Sequence, residues 1–149
     1  MKIYGAYKIE RLFKEAAGLQ LAKNKVKEVE EKVDQKLYDL LLSAEENAGY
    51  NNRDVIWMSD VPLTTAVKAA MKRFAELEEA LELQPVLDNL AVHPPLKYAL
   101  EAELEKRLPE LTGTLIYLLA QIAAKLDPKE KKVSEEELGR AFEILDLMI

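Results

Sequence analysis

A stripe of apolar residues at helical spacing constrains this chain more than any other feature. Val26, Val29, Val33, Leu37, Leu40, Leu41, Ala44 and Ala48 recur in steps of three and four. Side chains at that spacing share one face of an α-helix, so the segment predicts a long amphipathic helix. Asn24 is the candidate N-cap, and Gly49 with Asn51-Asn52 supplies the stop. The helix is apolar on more than one side and cannot bury itself alone.

Shorter stripes flank it. Ile9, Leu12, Phe13 and Ala16 form one, stopped by Gly18 at a C′-like position. Leu63, Val67, Ala70, Met71, Phe74 and Leu77 form another, behind the candidate cap Ser59, with Pro62 in the first turn. No segment alternates with period two, so the fold class expected is all-α.

The second half repeats this pattern in worn form. Leu12, Phe13, Ala16 and Ala17 match Val86, Leu87, Leu90 and Ala91, while Leu37, Leu40, Leu41 and Ala44 match Leu115, Leu118, Leu119 and Ile122. Ser134 stands where Ser59 stands in the first copy. Residues 1–83 and 84–149 are thus read as two repeats within one compact domain, 1–149. Two registers remain open around Pro94, Pro95 and Pro109. Either Pro109 sits inside the second long helix and kinks or breaks it, or Leu96–Lys106 is a short helix and Pro109 starts the long one.

Short, long, short with brief loops, joined to Arg53-Asp54-Val55-Ile56 and to Asp60-Val61, resembles the histone fold. The tandem arrangement is similar to a bacterial family of single-chain proteins with two histone folds and no known function. The resemblance implies an intramolecular pseudodimer in which each copy covers the other's long helix. It also implies a structural ion pair between Arg53 and Asp60, seven positions apart, for which the second copy has only Pro128 and Glu135. Histones usually carry Thr two places after the loop Arg to anchor phosphate contacts, and Val55 occupies that place here. An ordinary helical bundle is the plainer alternative.

The resemblance further implies that the first loop of one copy lies beside the second loop of the other, where histones touch DNA phosphates. Lys23, Lys25 and Lys27 would then adjoin Lys129, Lys131 and Lys132. The opposite end would offer Arg53 with His93 and Lys97. Double-stranded DNA is the first expected partner, bound weakly and without sequence preference. Another protein is the second, because the net charge of −6 disfavours indiscriminate wrapping of nucleic acid.

Catalytic chemistry finds little support. There is no Cys, hence no disulfide, thiolate metal site or cysteine nucleophile, and His93 is the only histidine. The five glycines are too scattered for a phosphate-binding loop. Glu30-Glu31, Glu78-Glu79 and Glu135-Glu136-Glu137 read as polar helix faces or helix starts, and Trp57 and Met58 as plugs for the core. No enzyme activity, metal, cofactor or small-molecule substrate is expected. The Glu- and Lys-rich, cysteine-free composition is the pattern expected of a cytosolic thermophile protein. Met1–Lys8 lacks the apolar stretch of a signal peptide, and Leu115–Ala120 is too short to span a bilayer. The expected location is cytoplasmic, on the nucleoid if DNA is bound.

Overall fold

The computed structural model describes residues 6–77 and 81–149; the Glu78-Glu79 pair and Gly5 lie outside them. Helix α1 (Ala6–Ala17) buries Ile9, Leu12 and Phe13 completely. It stops because Gly18 takes φ +66°, a conformation that glycine adopts without a Cβ clash. Helix α2 (Lys23–Tyr50) follows with its whole predicted stripe buried. Its cap is Ala22, whose carbonyl accepts from Lys25 and Val26 N–H, so Asn24 falls inside the first turn and caps nothing. At the far end the chain reverses through Asn52 (φ 59°), and Arg53 N–H returns to Ala48 O at 2.9 Å.

The next helix begins later than the sequence suggests. Strand β1 (Val55–Ile56) leads into one 3-10 turn, Met58–Asp60, and α3 spans Thr65–Glu76. Ser59 is therefore not the cap and Pro62 is not in the helix. Thr64 is the cap, its hydroxyl accepting from Val67 N–H at 3.2 Å. The reason lies at Asp60, whose carboxylate accepts Trp57 N–H at 2.7 Å and closes the tighter turn first.

A second short–long–short series follows: α4 (Leu83–Leu90), α5 (Ala102–Leu126) and α6 (Glu135–Met148), with β2 (Ala99–Leu100) before α5. Ser134 does cap α6, accepting from Glu137 N–H at 3.1 Å. The register with a short helix over Leu96–Lys106 is not adopted. Pro109 lies within α5, which neither stops nor restarts there. An interior proline costs a helix about 3 kcal/mol. Residues 111–120 are all buried, and their apolar members supply more than that, at about 1.5–3 kcal/mol each.

Helix α5 is the centre of the core, packed against α1, α3 and α6 as well as α2 and α4. Two loop pairings tie the halves together. β1 runs parallel to β2, with Val55 opposite Ala99 and Ile56 opposite Leu100, and Gln20 forms a parallel bridge with Lys132. Side chains add further ties. Gln121 donates to Ala16 O, and Asp146 of α6 takes both Lys32 (2.7 Å) and Lys36 (2.9 Å) of α2.

Candidate nucleic-acid interface

The lysine-bearing segments meet through main-chain hydrogen bonds. Gln20 N–H donates to Lys131 O at 2.7 Å, and Val133 N–H donates back to Gln20 O at 3.1 Å. That exchange holds residues 127–134 against the turn that launches α2. Lys23 and Lys27 are exposed and Lys25 half-buried on the first turns of α2; Lys129, Lys131 and Lys132 are exposed on the paired loop. None of the six makes a salt bridge among the described residues. Acids border the cluster. The Glu28 carboxyl is raised above its ordinary pKa by burial and by Glu135, with Lys25 opposing the shift. Glu135 and Glu136 stay exposed on the first turn of α6, where the helix dipole favours them.

The opposite loop pair is built differently. Arg53 grips Asp60 with two hydrogen bonds, Nη1 to Oδ2 and Nη2 to Oδ1, both 2.7 Å. Nη1 also reaches Val55 O at 3.2 Å, and the guanidinium carbon lies 3.7 Å from the Trp57 ring centroid. The Asp60 side chain is only 4% exposed, and the Arg53 hydrogen bond holds its pKa below the usual carboxylate range. Asn47 donates to Asp60 O at 2.8 Å, anchoring the turn to α2. His93 stacks on Tyr38 of α2 at 4.6 Å, and Lys97 is exposed. Arg53 is thus committed within its own loop.

Two further sequence expectations need correction. Trp57 does not plug the core; it is 43% exposed and stacks on Arg53, while Met58 does pack against the core. Glu30 is not on a polar face but fully buried, and Asp34, one turn on, is 9% exposed. Burial, reinforced by Glu31, lifts the Glu30 carboxyl to about 7. Burial likewise lifts Asp34 to about 7 against the opposing pull of Asn89. The signal was present: positions 30 and 34 follow Val26 and Val29-Val33 at spacings that widen the buried stripe.

Among the described residues no three acidic or histidine side chains gather as a metal site, and no helix is long and apolar enough to cross a membrane. An uncharacterized protein of Aquifex aeolicus is 30% identical over 150 residues, covering 95% of this chain and 89% of that one. A crystal structure of a Thermus thermophilus protein superposes with TM-score 0.97 at 39% identity, covering 99% of this chain and all of that one. The histone from Methanopyrus kandleri superposes with TM-score 0.61 at 16% identity, covering 91% of each chain, a likeness of fold alone. The molecule is mostly helical and histone-like. The model of the family described as Domain of unknown function (DUF1931) matches residues 9–146, and this chain belongs to that family.

Proposed function

We propose that the chain is a non-enzymatic histone-fold pseudodimer within one polypeptide, residues 1–83 and 84–149 being its copies, that binds duplex DNA without sequence preference. Two series of short, long and short helices support the pseudodimer. So do the reciprocal loop pairings, in which each half gives its first loop to the other's second. The likeness to the Methanopyrus histone spans both halves rather than one.

The observation that carries DNA binding is the Gln20–Lys132 bridge, which joins the two lysine-bearing segments. Lys23, Lys25, Lys27, Lys129, Lys131 and Lys132 are the proposed phosphate contacts. Arg53 is read as structural, because Asp60 and Trp57 occupy its guanidinium. DNA is then held at one end of the molecule rather than wrapped. A gel shift with duplex DNA at about 50 mM salt, where phosphate contacts are strong, tests this. Binding that fades on changing Lys23, Lys25 and Lys27 to Glu supports the reading, and no shift at micromolar protein ends it.

A second reading is an assembly module that binds another protein and no DNA. The occupied Arg53, Val55 in place of the phosphate-anchoring Thr and the charge of −6 favour it. Retention of a specific protein after nuclease treatment, with no gel shift, is its expected signature. The location proposed with the first reading is the cytoplasm, on the nucleoid.

A further inference from the structure

Beyond the lysine-bearing loops, a cleft of about 800 Å³ opens between α3, the N-terminal half of α5 and the 3-10 turn. Met58, Val61, Leu63 and Met71 make its floor, and Val61 and Met71 belong to the buried core. Methionine is flexible and polarizable, which suits a surface that must fit an apolar partner. The rim is cationic. Lys68 and Lys72, one turn apart on α3, are exposed and make no salt bridge among the described residues. Arg107 faces them from α5, held in a fork by Glu110 at 3.0 and 3.3 Å. Two uncompensated positive charges therefore border an apolar trough on a protein of net charge −6.

We propose that this cleft is a docking groove for an acidic amphipathic helix of a partner protein. The helix would lay its apolar stripe on the methionine floor and its carboxylates against Lys68 and Lys72. A trough between two helices accepts such a stripe through residues at i, i+3, i+4 and i+7. Charge complementarity sets the sign of the partner, since a basic helix would meet Lys68 and Lys72 at the rim, both unpaired among the described residues, with Arg107 already paired to Glu110. A second copy of this chain is a poor occupant. The apolar face of its own acidic helix α6, Leu138, Ala141 and Leu145, is already buried. The groove is separate from the Gln20–Lys132 loop pair, so the inference does not depend on DNA binding.

The test uses the full chain and a labelled synthetic helix with Leu at i, i+3, i+4 and i+7 and Glu elsewhere. Controls carry Lys for Glu, or Ser for Leu. Fluorescence anisotropy should show saturable micromolar binding of the Glu/Leu helix and neither control. The exposed pair Lys68→Glu/Lys72→Glu should weaken binding by at least about tenfold while thermal melting stays unchanged. It should also leave any gel shift with DNA intact, whereas Lys23, Lys25 and Lys27 changed to Glu should leave helix binding intact. Equal binding of the Ser control, or insensitivity to the double substitution, overturns the proposal. So does displacement of the helix by duplex DNA, which would make the rim a phosphate site. Concentration-dependent dimerisation abolished by the same substitutions also overturns it, giving the groove to a second copy.

Discussion

Gly113 faces the ring of Phe74 so closely that a methyl group built on its Cα would lie 2.1 Å from the ring's Cζ. Helix α3 reaches α5 here with no space between backbone and aromatic ring. Gly113→Ala gains helix propensity, about 1 kcal/mol, but forces a stiff, buried ring to move. Overpacking of this kind costs about 1–3 kcal/mol, with more where the backbone must shift. Gly113→Ala should lower Tm by several degrees. The double variant Gly113→Ala/Phe74→Leu should recover part of that loss, as contacting sites do. A Gly113→Ala protein that melts at or above the parent temperature contradicts this packing.

Removing Arg53 should leave Asp60 buried without its main partner. Arg53→Ala is expected to lower Tm by roughly 5–10 °C. Asp60→Asn, which keeps the Trp57 N–H contact through its carbonyl, should cost less. Neither variant should weaken any DNA binding by more than about twofold, against the much larger loss expected for the lysine changes. A large loss of DNA affinity in Arg53→Ala at unchanged Tm would reverse the role given to this residue.

Stability should peak in mildly acidic solution. Glu30 and Asp34 have folded pKa values raised to about 7, so their favourable contribution is complete below the unfolded values near 4. It is lost as pH rises toward about 7, where the folded protein must ionise buried carboxyls. Asp60 and Asp146 act the other way. Arg53 lowers the first, and Lys32 followed by Lys36 lowers the second, so their contribution is present above about 4 and lost on further acidification. Urea unfolding against pH should give a maximum near pH 4. Asp34→Asn should flatten the alkaline limb and stabilise the protein at pH 8 by an amount of the order of 1 kcal/mol after solvent screening. A profile rising steadily from pH 5 to 8 contradicts this assignment.

Salt dependence limits how many lysines act together. Six phosphate contacts give a slope of log K against log salt near −5, and fewer contacts give a shallower one. Changing Lys129, Lys131 and Lys132 to Glu should halve the slope if both loops contribute equally. An unchanged slope would mean that the second loop does not touch DNA.

Much of the helical frame was legible because burial imposes spacing. Every member of the Val26–Ala48 stripe is buried, and Gly18 and Ser134 mark a helix end and start through plain backbone chemistry. Ser59 misled because the expected Arg53–Asp60 pair did not reveal that the same carboxylate also accepts Trp57 N–H and closes a 3-10 turn first. Asn24 misled because the Gln20–Lys132 bridge, a long-range contact, fixes how the chain enters α2. Pro109 threatened a break that the burial of residues 111–120 overrides. The Lys68–Arg107 cleft is a tertiary feature whose parts lie on separate segments, and no short window of sequence reveals it.

The bond from Gln121 to Ala16 and the bridge from Gln20 to Lys132 also bear on biosynthesis. Both require chain made long after α1 and α2 have emerged. At roughly 5–20 residues per second, the apolar stripe of α2 waits about 4–15 seconds for α5 to be synthesised. During that interval the nascent segment is an exposed, sticky rod, so the ribosome-bound intermediate, rather than the finished molecule, is where chaperones and aggregation compete for this protein.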